Sequence, residues 1–188
     1  MPGEAPQEFL DAIERLRTVR PRPEVQLEEV PAPQRIAPHA VALSADVARQ
    51  EEELASGRFV VLYDPAGQEA WDGRFRVVTF ARAALETDLG ADPLLGEVGW
   101  SWVNDALATV DAAHEVLGGT VTRVVSESFG TLSDRPPTVE IEVRASWTPR
   151  NGLDLHLRAW TVLLCTVAGL PPLPAGVAAL PTRRGSWA

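Results

Sequence analysis

A chain of 188 residues, 45% of them hydrophobic, supports one well-buried core and is too short for two comfortable ones. Its 26 acidic and 17 basic residues give a formal net charge of -9, the wrong sign for phosphate binding, which disfavours direct contact with nucleic acid. The single cysteine excludes an internal disulfide, no window approaches the roughly 18 apolar residues of a membrane span, and Met1 to Glu8 lacks the pattern of a signal peptide, so a cytoplasmic protein without membrane contact is expected.

Phe9, Leu10, Ile13 and Leu16 recur at helical spacing between Pro6 and Pro21, which predicts an amphipathic docking helix over Pro6 to Val19. The nearby Arg15, Arg17, Arg20 and Arg22 read as its solvated face. Val25 to Val30 forms a short strand, Pro31, Pro33 and Pro38 impose an extended crossing, and His39 to Val47 alternates as a second strand. Arg49 to Gly57 has no apolar face and is expected to be a loop or a frayed helical turn, followed by apolar runs at Arg58 to Tyr63 and Arg74 to Phe80.

Leu85 to Pro93 is a connection broken by Gly90 and Pro93. Trp100, Val103, Leu107, Val110 and Leu117 then recur helically, predicting about five turns at 3.6 residues each, with Gly118 and Gly119 as the stop. In Thr138 to Thr148, Val139, Ile141, Val143, Ala145 and Trp147 alternate with Glu140, Glu142, Arg144 and Ser146. This strict period of two with one charged face belongs to an antiparallel sheet with one side in water. Thr120 to Phe129 is its expected partner, joined through Gly130 to Pro137.

A helical stripe at Leu157, Trp160, Leu164 and Val167 ends at Gly169, although Leu153, Leu155 and Leu157 also alternate and its start could extend a strand. The expected fold is a single α+β domain over residues 1–170: an antiparallel sheet of about five to seven strands with helices on one face, in the order helix, strands, helix, strand pair, helix. Residues 171–188, rich in proline and glycine, form a C-terminal arm.

Between the two apolar runs, Asp64-Pro65-Ala66-Gly67 has the residue choices of a type I turn, and Asp72-Gly73 those of a two-residue hairpin. If both form, Gln68 to Trp71 is a short strand and Trp71 lies across from Arg74, a cation–indole pair of about 0.5 to 1 kcal/mol. Asp64 and Asp72 are then turn residues and Trp71 a lid on the sheet end, or Asp64, Glu69 and Asp72 line a polar pocket whose carboxylates act as acid, base or cation ligands. Their spacing does not fit a calcium loop.

Trp100 and Trp102 lie about 200° apart on a helix. Trp100 belongs to the apolar stripe, leaving Trp102 as a partner anchor or part of a second packed layer. Cys165, inside an apolar run, reads as a core residue. His39, His114 and His156 have no metal-ligand spacing, Ser126 and Ser128 no nucleophile elbow, and Gly118-Gly119 no phosphate-loop context. No catalytic residue, cofactor or metal is therefore assigned.

Arg22 to Pro38, Tyr63 to Phe80, Asp92 to Val103, Gly118 to Gly130 and Trp160 to Pro174 together resemble domain of unknown function 3000, an uncharacterised actinobacterial family. The resemblance implies no reaction or ligand; genes of the family often neighbour a ribonuclease D-like exonuclease, which implies at most an accessory part in RNA metabolism without direct RNA binding. The order of elements is similar to that of secretion-chaperone-like domains, a likeness of fold alone. The expectation is a non-enzymatic protein-interaction or chaperone-like module, binding another protein, or itself as a homodimer, through Trp71, Arg74 and Trp102. The alternative is a small-molecule enzyme using carboxylates and a histidine near residues 64–73.

Overall fold

The computed structural model describes residues 5–174, and the remainder of the predicted C-terminal arm lies outside them. The chain runs α1 (Gln7–Arg17), β1 (Val25–Val30), β2 (His39–Arg49), β3 (Glu52–Gln68), β4 (Gly73–Leu85), α2 (Leu95–Thr109), β5 (His114–Ser126), β6 (Thr138–Pro149) and α3 (Leu153–Val167). The fold is α+β, as expected: one six-stranded sheet in the order β1-β2-β3-β4-β6-β5, antiparallel throughout, with the helices layered on one face.

The period of two decides which residues meet the helices. Val41, Leu43, Ala45 and Val47 of β2, Phe59, Val61 and Tyr63 of β3, and Val139, Ile141, Val143, Ala145 and Trp147 of β6 are all buried beneath them. α3 lies at the centre of that layer. Gly152 precedes it, Gly169 at φ +75° ends it in the left-handed region, and ten of its fifteen residues are buried, so the helical stripe prevails over the short leucine alternation. α1 docks through Phe9, Ala12 and Leu16. Phe9 stacks on Tyr63 at 5.6 Å between centroids, and the Tyr63 hydroxyl donates to Glu8 at 2.7 Å, which raises the phenol's pKa.

Two glycines let tryptophans approach the sheet. A Cβ on Gly57 would lie 2.3 Å from the Phe80 carbonyl and 2.9 Å from the Trp160 ring, while one on Gly119 would lie 2.0 Å from the Arg144 carbonyl and 2.9 Å from Trp100. The indole nitrogen of Trp160 donates to the Phe80 carbonyl at 3.2 Å, so the ring is both packed and satisfied.

Four expectations require correction. Arg49 to Gly57 is no loop: Gln50 and Glu51, at φ +52° and +68°, make a tight hairpin turn and β3 begins at Glu52. The five-turn helix ends at Thr109; Asp111 turns the chain at φ +54°, and Leu117, Gly118 and Gly119 belong to β5. Asp64 to Gly67 is a bulge within β3, not a type I turn, with Asp64 Oδ1 accepting from the Ala66 amide at 3.0 Å and Gly67 at φ +73°. Gln68 to Trp71 is no strand: Glu69–Trp71 is a 3₁₀ turn, Asp72 is left-handed, and Gln68 pairs with Gly73.

Candidate functional site

The face of the sheet away from the helices divides into a covered and an open half. Over β2 and β3, Ala42, Val60 and Leu62 form a satellite apolar cluster, against which Val30, Ala32, Ala37 and Trp71 pack. The proline-rich crossing that joins β1 to β2 therefore serves as a cover, its fixed φ angles lowering the entropy lost in holding it there. Beyond Val60 the cover ends and the surface sinks into a hollow of about 710 Å³.

Cross-strand register builds the floor of that hollow. Ser44 pairs with Arg58, Arg58 with Phe80, Phe80 with Arg144, and Arg144 with Thr120, a row of side chains crossing five strands on one face. The next row sets Ala42, Val60, Val78, Ser146 and Gly118 side by side. The Arg144 guanidinium lies 4.9 Å from the Phe80 ring centroid and donates to Glu142 at 2.8 Å, so it is steered over the ring while remaining half exposed. On the other side of Phe80, Arg58 is exposed and has no ion pair among the described residues.

Arg82, also exposed, extends this positive strip one row further, beside Ser56 and Glu142. Arg76 serves a different purpose. Its guanidinium donates to the Val116 carbonyl at 2.9 Å, Thr148 Oγ1 at 3.1 Å and Ser146 Oγ at 2.8 Å, bolting β4 to β6 and β5, and burial lowers its pKa. In a chain of net charge -9, the open half of the sheet thus concentrates arginines around exposed Val78 and half-buried Phe80. The arrangement suits a ligand with carboxylates and apolar groups in alternation.

The residues singled out from sequence do not converge there. Trp71 caps the satellite cluster, its carbonyl accepting from Thr148 Oγ1, and the Gln68–Gly73 register removes the expected opposition to Arg74. Arg74 instead pairs with Glu8 of α1 at 2.9 Å. Asp64 is occupied with the Ala66 amide and Gln68 Nε2, and Asp72 accepts from Arg150 at 2.7 Å, while Glu69 is exposed. Arg150 also reaches Glu115, tying the β3–β4 turn to the start of β5. Asp64, Glu69, Asp72, His39 and His156 do not line this hollow.

Trp102 is half buried and packs on the main core, lining a groove of about 500 Å³ between α2 and α3 with Asp105, Val162 and Cys165. Burial pushes the Cys165 thiol up to about 11, so it stays protonated at neutral pH. Among the described residues, no three His, Cys, Asp or Glu side chains gather to hold a metal ion, and no helix is long and apolar enough to cross a membrane.

These features define an α+β open-sheet domain that carries a half-covered, arginine-lined sheet face. The family model described as protein of unknown function (DUF3000) matches residues 5–178, and the chain belongs to that family. No curated protein and no solved structure matched it.

Proposed function

We propose that the chain is a cytoplasmic, non-enzymatic protein-interaction module whose open sheet face receives an extended acidic segment of another protein. The observation that carries this reading is the Arg58, Phe80, Arg144 row beside the apolar Val60 and Val78. An extended segment presents side chains alternately. Carboxylates would fall between Arg58 and Arg144 while neighbouring apolar side chains fill the space over Val78 and against Phe80.

A protein ligand is favoured over a nucleic acid by the rest of the same face. Glu28, Asp46, Glu140 and Glu142 lie among the arginines, which breaks up the continuous positive track that a phosphate backbone requires. A hollow of about 710 Å³ falls in the usual range for ligand sites and takes a few side chains, not a whole domain. Trp71 supports the site from the side by fixing the cover over Leu62 and Val60.

The test is fluorescence polarization with labelled peptides in which glutamate alternates with leucine and phenylalanine, against lysine-substituted and serine-substituted versions. The acidic apolar peptide binds, its affinity falls with added salt, and Arg58→Glu with Arg144→Glu abolishes binding while the fold is retained. Equal binding of all three peptides, or preferential binding of a single-stranded RNA oligonucleotide at low salt, overturns the proposal.

A further inference from the structure

The two edges of the sheet are unlike each other. β1 is six residues long, carries Glu28 and Glu29, and is flanked by Pro21, Pro23, Pro31 and Pro33. Shortness, charge and proline are the devices by which an edge strand avoids pairing with another chain. β5, the opposite edge, is thirteen residues long and contains no proline, and its irregularity is confined to the break in register between Glu115 and Gly118 at its start.

Only two charged residues other than His114 lie on β5, and both are already engaged. Arg150 holds Glu115 at 2.8 Å, and Arg123 donates to the Gly90 carbonyl at 2.7 Å. Between them runs an uncharged stretch, Val116 to Thr122, in which Gly118, Gly119, Thr120 and Thr122 are exposed and leave the backbone uncovered. Exposed apolar side chains collect on this strand and the loop that follows it: Val116, Val125, Leu132, and Phe129 at 76% exposure. A bare edge with adjoining apolar surface is built to be paired.

We propose that the outer edge of β5 binds a second copy of this chain, the two β5 strands pairing antiparallel about a two-fold axis so that the sheets join into one. Charge selects that occupant. Two chains of net charge -9 repel, and a β1–β1 contact would oppose Glu28 and Glu29 of each copy, whereas β5 offers a neutral strip on both sides. A β5–β1 contact would be heterologous and would propagate instead of closing, while β5–β5 is isologous and closes at two chains. An axis at Val121 sets Thr120 of each copy across from Thr122 of the other on the open face, a favourable cross-strand pair. This inference is independent of what the hollow binds.

Sedimentation equilibrium tests it on the full chain, with the native protein expected at twice the chain mass. In Thr120→Lys with Thr122→Lys, lysines face lysines across the axis, and the dissociation constant rises by roughly tenfold or more. The corresponding Thr120→Glu with Thr122→Glu chain behaves likewise, and mixing the two variants restores a two-chain species, which loss of folding could not produce. Gln26→Lys on β1 leaves association unchanged. A native protein that sediments as a single chain at every concentration overturns the proposal, as does a lysine variant that associates as tightly as the native chain or a mixture that fails to associate.

Discussion

The indole nitrogen of Trp147 on β6 donates to Nδ1 of His156 on α3 across 2.9 Å, deep in the core, and this bond dictates the protonation state of the imidazole. With Nδ1 accepting, the proton lies on Nε2, which donates to Asn151 Oδ1 at 2.8 Å, and the Asn151 amide donates in turn to the Asp111 carbonyl at 2.8 Å. The chain of bonds joins the sheet, the start of α3 and the turn before β5. His156 is 0% exposed, yet every polar atom of its ring is satisfied as long as it stays neutral.

Acid should therefore loosen the fold through His156. Burial, followed by the charge of His114, lowers its pKa from 6.5 to about 4, and a second ring proton would point at the Trp147 N–H. The unfolded chain takes up the proton first as pH falls below 6.5, so stability declines between that pH and about 4 by up to about 3 kcal/mol. Urea unfolding of native protein and His156→Gln at a series of pH values checks this. The difference between the two should shrink on acidification, and parallel curves would contradict it.

Glycines of the sheet should respond unequally to an added methyl group. Nothing lies within 4 Å of a Cβ at Gly118, so Gly118→Ala changes stability by no more than about 0.5 kcal/mol. Gly119→Ala and Gly57→Ala drive a methyl into backbone carbonyls and tryptophan rings, and cost about 1 to 3 kcal/mol or more. Thermal unfolding of the three variants distinguishes the cases.

Trp71 and Arg74 should act independently of each other. Trp71→Ala strips one side of the satellite cluster at a cost of about 1 to 3 kcal/mol. Arg74→Ala breaks only a solvent-exposed pair with Glu8 and costs less than about 1 kcal/mol. A double-mutant cycle on Trp71 and Arg74 gives additive effects, whereas one on Glu8 and Arg74 gives a small coupling.

Cys165, 5% exposed and with its thiol pKa raised by burial, should resist alkylation in the folded protein and react quickly in denaturant. Mass spectrometry after timed iodoacetamide treatment measures both rates.

The strands and helices that were legible in the sequence are those whose own side chains carry the pattern. β6 alternates without interruption because one of its faces is core and the other solvent, and α3 is bounded by glycines. The β2–β3 hairpin was hidden because Gln50 and Glu51 adopt left-handed angles without being asparagine or glycine. The long helix was overextended because Leu117 continues the apolar spacing of α2 beyond the turn at Asp111 into a strand irregular at Val116, where φ is +53°. Gly118 and Gly119 looked like a stop, yet Gly119 is small so that Trp100 can reach the sheet.

The hollow was less legible still. Arg144 and Ser146 read as the solvated face of their strand, but Arg58 and Phe80 join Arg144 in one row, and Val60 and Val78 join Ser146 in the next, only through pairing across three strands. No local signal reports such a register. Asp64, Glu69, Asp72 and Trp71 stand out because they are close in sequence, yet the three carboxylates serve the bulge, the solvent and Arg150 respectively.

The most direct measurement of the proposed role is mapping of backbone amide NMR shifts during titration with the acidic apolar peptide. Shifts concentrated at Arg58, Val60, Val78, Phe80, Arg144 and Ser146, with the α2–α3 groove around Trp102 unperturbed, are the predicted result. Shifts centred on that groove, or none at saturating peptide, would contradict a binding role for the open sheet face.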